Sequence, residues 1–221
     1  MSTYLITGSN RGIGLEYCRQ LKARGDTVIA TCRDATPELE QLGVRVETGI
    51  DVRSGNSVLK LIENLKELKI DVLIHNAGIY ENNSLDNLDP ESLLRQFEVN
   101  ALSPLCFSKA MIKNLREGSK LILMSSRMGS IEDNTSGGSY GYRMSKVALC
   151  MAGKSLSIDL APFGISVAIL HPGLVSTKMT GFTPQGITPE NSVTGLLKRI
   201  DSLGPENSGN FFHANGEILP W

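Results

Sequence analysis

Short apolar runs alternate with amphipathic stretches along most of the chain. Thr3–Thr7, Thr27–Cys32, Val44–Ile50, Asp71–His75, Leu121–Met124, Ile165–Leu170 and Asn210–His213 are rich in apolar residues and bounded by turn-forming ones, the pattern of strands. Between them, Leu15–Arg24, Ser54–Leu68, a segment from Asp89-Pro90 through Asn100 to about Leu115, Tyr140–Ala161 and Ser192–Ile200 carry apolar positions at helical spacing. In the second of these, Val58, Leu61, Ile62 and Leu65 share one face. Asn100 falls inside the third, where asparagine is a poor helix former. It is expected to mark a local distortion or a buried water contact, the alternative being an ordinary exposed helical asparagine. Strands alternating with helices predict right-handed βαβ units. The expected fold is α/β: a doubly wound parallel sheet of about seven strands with helices on both faces, residues 1–221 forming a single domain.

Composition changes this picture little. Lys and Arg number 22 against 23 Asp and Glu, a net charge of −1, so no global field calls for nucleic acid or an anionic membrane. No apolar run approaches the ~18 residues of a membrane span, and the first residues have no leader-like basic and apolar regions. A cytoplasmic protein is expected. Cys18, Cys32, Cys106 and Cys150 form no C-x-x-C pair, and three of them lie in apolar segments, which points to reduced thiols rather than bridges or metal ligands.

Candidate chemistry sits at the strand ends. Gly8-Ser9-Asn10-Arg11-Gly12-Ile13-Gly14 joins a strand to a helix. In that context the glycines permit a tight turn and let backbone and helix start approach a pyrophosphate. A glycine-rich turn with no ligand is the alternative. About 20 residues on, where many dinucleotide folds place an acid, stands Cys32-Arg33. A guanidinium there, joined by Arg11, suits a 2′-phosphate, although an exposed strand-end arginine is common. Ser125-Ser126 ends another strand, and Tyr142 and Lys146 share one face of the following helix, a turn apart. An ammonium beside a phenol favours the phenolate and turns tyrosine into a usable acid or base. The Thr-, Gly- and Pro-rich stretch Thr177–Pro189 reads as a loop closing over ligand, or as a plain surface connection.

Thr7-Gly8-x-x-x-Gly12-Ile13-Gly14, Asn76-Ala77-Gly78, Ser126, Tyr142-x-x-x-Lys146 and Pro172-Gly173-x-x-x-Thr177 occur in the order and spacing of the short-chain dehydrogenase/reductase family. The resemblance spans essentially the whole chain. Ser125–Lys146 and the closing Leu219-Pro220-Trp221 look most like the C-factor and sniffer-type carbonyl reductases. The resemblance implies hydride transfer between NADP(H), preferred over NAD(H), and a carbonyl or alcohol. It makes Tyr142 the acid/base and Ser126 the residue that orients the carbonyl, with Ser125 left open as its rival. Lys146 lowers the phenol's pKa and holds the nicotinamide ribose, and Asn100 anchors a relay water. Gly8, Asn10, Arg11, Gly12, Ile13, Gly14 and Arg33 lie along the phosphate side of the cofactor. Asp51 and Val52 hold the adenine, Asn76, Ala77 and Gly78 line the cofactor floor, and Val175 and Thr177 meet the carboxamide end.

Three features depart from or qualify that pattern. His75 stands where the family usually has asparagine, and is expected to be a core histidine with a satisfied ring. Ser126 and Tyr142 are 16 positions apart, more than is usual, with the excess placed around Gly137-Gly138. Tyr140 has Met144, not lysine, four residues on. Ile79, Tyr80, Met128, Met179 and Phe182 suggest an apolar-walled, shallow site for a small-molecule substrate. Apolar residues beyond one core face, Leu105 and Phe107 and then Leu149, Met151 and Leu156, imply a homodimer or homotetramer. The rival reading is a cofactor-binding signalling or scaffold protein, which would have no need of the phenol–ammonium pair. A nucleotide-sugar epimerase shares Tyr-x-x-x-Lys but needs a larger carboxyl-terminal domain than this length allows.

Overall fold

A computed structural model describes residues 1–221. Its seven strands are β1 (Thr3–Thr7), β2 (Thr27–Thr31), β3 (Arg45–Glu47), β4 (Val72–His75), β5 (Lys120–Met124), β6 (Ser166–His171) and β7 (Phe211–His213). They form one sheet in the order β3-β2-β1-β4-β5-β6-β7, and every neighbouring pair is parallel. The strand order reverses between β1 and β4, which opens a crevice at the carboxyl ends of those strands, where doubly wound sheets bind ligands. The helices are α1 (Gly12–Arg24), the short α2 (Pro37–Glu40), α3 (Gly55–Leu65), α4 (Pro90–Phe97), α5 (Ser103–Met111), α6 (Tyr140–Asp159) and α7 (Pro189–Asp201).

Side-chain alternation along the strands builds two cores. Tyr4, Ile6, Val28, Ala30, Ile74, Ile122 and Leu170 pack with Tyr17 and Leu21 of α1 and with Val193 and Leu196 of α7. The intervening Leu5, Ile29, Leu73, Leu121, Leu123 and Val167 face α3, α5 and α6. Each fully buried Leu or Ile contributes on the order of 1.5–3 kcal/mol. Helix α6 lies directly on the sheet because residue 153 is glycine: a Cβ there would stand 2.6 Å from Ile169 Cγ1 and 2.8 Å from Leu123 Cδ1. That close approach sets the depth at which α6 presents its own amino-terminal turns.

Two expectations need correction, and the alternative left open at Asn100 is decided for a local distortion. The third strand covers Arg45–Glu47 rather than Val44–Ile50, because Gly49 turns left-handed (φ +73°) and bends the chain off the edge of the sheet. The helix through Asn100 is interrupted: a π turn, Glu98–Leu102, separates α4 from α5, with the Ser103 N–H donating to the Glu98 carbonyl. Pro104 supplies a reason, since it has no N–H to give the carbonyl four residues earlier, which is that of Asn100. Finally, Phe107, Leu149 and Leu156 are core residues, whereas Leu105 and Met151 are exposed. No helix is long and apolar enough to cross a membrane.

Candidate active site

The β1–α1 turn is locked to the end of β4. Gly8 has φ +69°, and a Cβ on Gly14 would lie 2.2 Å from the Gly8 carbonyl oxygen and 2.6 Å from Asn76 Nδ2. Asn76 Nδ2 donates to the carbonyls of Thr7 and Gly8, both at 3.0 Å. The backbone N–H groups of Asn76 and Ala77 donate to Thr7 Oγ1 at 3.1 and 3.0 Å. Helix α1 begins after Arg11 with no side-chain cap and no acid in its first turn. Its leading N–H groups and positive dipole end are therefore left for an anion, and Gly12 and Ile13 stand at that end. Asn10 ties the turn to the end of β2 through Nδ2, which donates to the Asp34 carbonyl at 3.0 Å.

Arg11 and Arg33 are both exposed, and neither makes an ion pair. Asp51 pairs with Arg53 at 2.8 Å. The hydrogen bond from Arg53 holds the Asp51 carboxyl below its ordinary range, with the field of Arg33 adding to the effect. Val52 follows, half-buried against α3. On the far side Val175 is buried and forms a bridge with Ile187, which closes the base of the 177–188 loop. Thr177 reaches the start of α1, its Cγ2 lying 3.5 Å from where a Gly12 Cβ would be. These residues thus form one continuous trough with an unneutralised basic end. An extended molecule with a pyrophosphate and a further phosphate fits that donor set.

At the tip of β5 the two serines separate. Ser125 Oγ points into α6, 3.2 Å from Cys150 Sγ and 3.4 Å from the Lys146 carbonyl. Ser126 Oγ accepts from the Met128 N–H at 3.2 Å and lies close enough to Tyr142 to influence its phenol. Lys146 is buried and donates to the Met124 carbonyl at 2.9 Å, with its ammonium 5.5 Å from the centroid of the Tyr142 ring. Desolvation drops the Lys146 ammonium to about 8. The half-buried Tyr142 phenol is pushed up to about 12, again mainly by desolvation, with Ser126 pulling it back and Tyr80 adding to the rise. In the cofactor-free protein burial is the largest influence on the phenol, and Lys146 is not among the groups that move it.

Asn100 is buried in the π turn and holds two elements together. Its Oδ1 accepts from the Ile79 N–H at 2.9 Å, and its Nδ2 donates to the Ile79 carbonyl at 2.9 Å and to Ser145 Oγ of α6 at 3.0 Å. Both amide hydrogens are used, so the side chain has no donor left for a water. Gly78 lies under this contact: a Cβ there would stand 3.2 Å from Asn100 Oδ1 and 3.8 Å from Lys146 Nζ. His75 bonds Ser108 Oγ through Nε2 at 2.8 Å and packs edge-on to Phe107, and burial drives its pKa down to about 3. It is the satisfied core histidine expected.

Two contributors were not singled out from sequence. Pro104 marks the π turn, and the cue was its position four residues after Asn100. Arg143, next to Tyr142, donates to the carbonyls of Gly137 and Gly138 (both 3.2 Å) and Met128 (3.4 Å) and to Ser136 Oγ (2.8 Å). It thereby fixes the long loop between Ser126 and Tyr142. A polar cleft of about 540 Å³ beside Tyr4, Arg24, Lys120 and Asp201 lies at the opposite, amino-terminal edge of the sheet and contains none of these residues. Convergence of groups, not cavity size, marks the site.

A parallel sheet of this order, a glycine turn at its switch point and a serine, tyrosine and lysine at the β5–α6 corner define a nicotinamide-dependent oxidoreductase. Residues 2–187 match the short chain dehydrogenase family, and the chain belongs to it. It is 43% identical over 226 residues, covering all of both chains, to 1-hydroxy-2-glutathionyl-2-methyl-3-butene dehydrogenase of Rhodococcus sp. (strain AD45). Its structure matches NADPH-bound carbonyl reductase from chicken fatty liver with a TM-score of 0.91 and 30% identity, covering 100% of this chain and 99% of that one. It also matches the carbonyl reductase Sniffer of D. melanogaster with a TM-score of 0.90 and 32% identity, covering 100% of each. The protein is thus an enzyme acting on a small molecule at a CH–OH or C=O group, as the sequence pattern implied.

Proposed function

We propose that the protein is an NADP(H)-dependent carbonyl reductase that interconverts an aldehyde or ketone with its alcohol. The observation that carries this is the convergence of Ser126, Tyr142, Lys146 and Asn100 beside a trough whose basic end is open. The nicotinamide, when bound, supplies the hydride. Tyr142 gives a proton to the substrate oxygen as charge develops there, and Ser126 donates a hydrogen bond to the same atom. Ser126 takes this role over Ser125 because Ser125 is turned into α6. Lys146 holds the nicotinamide ribose and sets the charge beside the phenol. Asn100 keeps the Ile79 backbone and α6 in register; any water relay from it runs through its carbonyl, since its amide donors are committed.

The phosphate side of the cofactor is held by Gly8, Asn10, Gly12, Ile13 and Gly14, and a 2′-phosphate by Arg11 and Arg33. Asp51 and Val52 hold the adenine, Asn76, Ala77 and Gly78 form the floor, and Val175 and Thr177 meet the carboxamide end. Ile79, Tyr80, Met128, Met179 and Phe182 make the apolar substrate wall. A homodimer or homotetramer is supported by the exposed apolar residues Leu94, Phe97, Leu102 and Leu105 on the α4–α5 segment and Met144 and Met151 on α6. Free thiols at all four cysteines suit a reducing, cytoplasmic setting.

The deciding experiment is turnover of a panel with NADPH or NADP+, monitored at the nicotinamide. Aromatic aldehydes, ketones and quinones test reduction. Alcohols bearing a thioether, suggested by the Rhodococcus relative's name, test oxidation. Turnover of at least one class is expected. A protein that binds NADPH tightly yet turns over none of them is a binder, not this enzyme.

A further inference from the structure

Tyr80 is held from several directions, and its ring meets the ring of Tyr142. The two centroids are 5.1 Å apart at 82°, an edge-to-face pair. The residue before it, Ile79, is gripped on both its N–H and its carbonyl by Asn100. The Tyr80 hydroxyl shares a hydrogen bond with Ser139 Oγ at 3.0 Å and donates to Asn82 Oδ1 at 3.4 Å. Ser139 immediately precedes α6 in a left-handed conformation (φ +47°), its N–H donating to the Asn83 carbonyl at 2.7 Å and its carbonyl accepting from the Arg143 N–H at 2.9 Å. The loop after β4 and the start of α6 are thus joined across Tyr142 itself. Tyr142 is half-buried and turns on two soft side-chain torsions, so its hydroxyl is aimed by what its ring touches.

We propose that Tyr80 is a positioning residue for Tyr142, aiming the phenol through the ring contact, with the Tyr80–Ser139 hydrogen bond as the latch that holds Tyr80 in place. The assignment rests on Tyr142 being the acid. An edge-to-face pair biases a ring's orientation by roughly 2- to 12-fold. Misplacement of a reacting group by about 1 Å costs up to about 10²-fold in rate. Loss of the ring at position 80 therefore falls on turnover. Cofactor affinity is set along the trough and stays as it is.

The test uses the full chain with NADPH and 4-nitrobenzaldehyde as the probe, comparing Tyr80→Leu, Tyr80→Phe, Ser139→Gly and the Tyr80→Phe/Ser139→Gly double variant. Glycine is chosen at 139 because it accepts the left-handed backbone. Tyr80→Leu is expected to lower kcat about 10-fold or more with NADPH affinity unchanged. Tyr80→Phe and Ser139→Gly are each expected to lower it about 3-fold, and the double variant no further, because both remove the same bond. A second readout needs no turnover: with tyrosine ring carbons labelled for NMR, Tyr142 in the cofactor-free Tyr80→Leu protein should titrate lower than in wild type, as water reaches the phenol. Wild-type kcat in Tyr80→Leu, an unmoved titration, or single losses that multiply in the double variant overturns the proposal. Tyr142→Phe is run alongside. If it keeps more than about a tenth of activity, or if wild type turns over neither this probe nor any other member of the panel above, the acid assignment fails and takes this proposal with it. An inactive Tyr142→Phe beside unaffected Tyr80 variants overturns this proposal alone.

Discussion

The ammonium of Lys146 lies 5.5 Å from the centroid of the Tyr142 ring, and the same buried environment moves the two groups in opposite directions. Burial drops Lys146 to about 8 and pushes Tyr142 up to about 12, so the phenol keeps its proton at neutral pH. Between about pH 8 and 10.5 the unfolded chain holds a lysine proton that the folded, cofactor-free protein has released. Stability from this group therefore rises with pH across that window. Below it, the buried ammonium costs at most about 3 kcal/mol. Lys146→Met should stabilise the cofactor-free protein near pH 7 and lose that advantage by pH 10. Urea unfolding of both proteins at the two pH values measures this, and an advantage that does not shrink with pH contradicts it.

Replacing Tyr142 by phenylalanine removes the proton donor and leaves the ring. Turnover should fall by roughly 10²–10⁴, the usual worth of a general acid, while NADPH affinity stays near wild type. Tyr140→Phe should be nearly silent, since Tyr140 has no lysine a turn away. Lys146→Ala should damage both turnover and cofactor affinity. Steady-state kinetics with separate fluorescence titration of NADPH distinguishes the three, and a silent Tyr142→Phe removes the assignment.

Strand positions and the glycine turn were legible in the sequence because each rests on local pattern: alternation, turn residues and spacing. The doubly wound class follows from strands alternating with helices, whereas the strand order is set by how the crossovers pack and is not written in any one segment. What escaped depended on three-dimensional surroundings. Burial dominates at Tyr142, and burial is a property of the folded surroundings that the Tyr-x-x-x-Lys spacing does not carry. Phe107, Leu149 and Leu156 were placed on an oligomer face because α5 and α6 are apolar on more than one side, and sequence alone does not say which side meets the sheet. The π turn at Asn100 was half-visible, since the asparagine was noticed and the proline four residues later was not.

Gly14 is the most tightly packed glycine of the proposed cofactor trough. A methyl group there would lie 2.2 Å from the Gly8 carbonyl oxygen and 2.6 Å from Asn76 Nδ2, so both the turn and the end of β4 would have to move. Overpacking of this kind costs about 1–3 kcal/mol, roughly 5- to 150-fold if it falls on binding. Gly14→Ala should weaken NADPH within that range and lower the melting temperature. Calorimetric titration and thermal unfolding read the two effects, and unchanged affinity would show that the trough does not hold the phosphates.

In the proposed complex, cofactor choice turns on Arg11 and Arg33, the two exposed guanidinium groups without carboxylate partners at the basic end of the trough. Asp34 follows Arg33 in the chain, and its field adds to the burial that raises the Cys32 thiol, so an acid is also close by and works against a phosphate. Two charge-assisted contacts at about 1.5–3 kcal/mol each outweigh one exposed carboxylate whose field is screened. Arg33→Ala should therefore weaken NADPH roughly 10- to 150-fold and leave NADH almost unchanged. Arg33→Asp should go further and reverse the preference, because a carboxylate accepts from a free ribose diol and repels a 2′-phosphate. The NADPH-to-NADH affinity ratio of wild type should also shrink as salt rises, since the contacts are exposed. Fluorescence titration with both cofactors at low and high salt provides the numbers. Equal affinity for NADH and NADPH in the wild-type protein at physiological salt removes the 2′-phosphate site from this account.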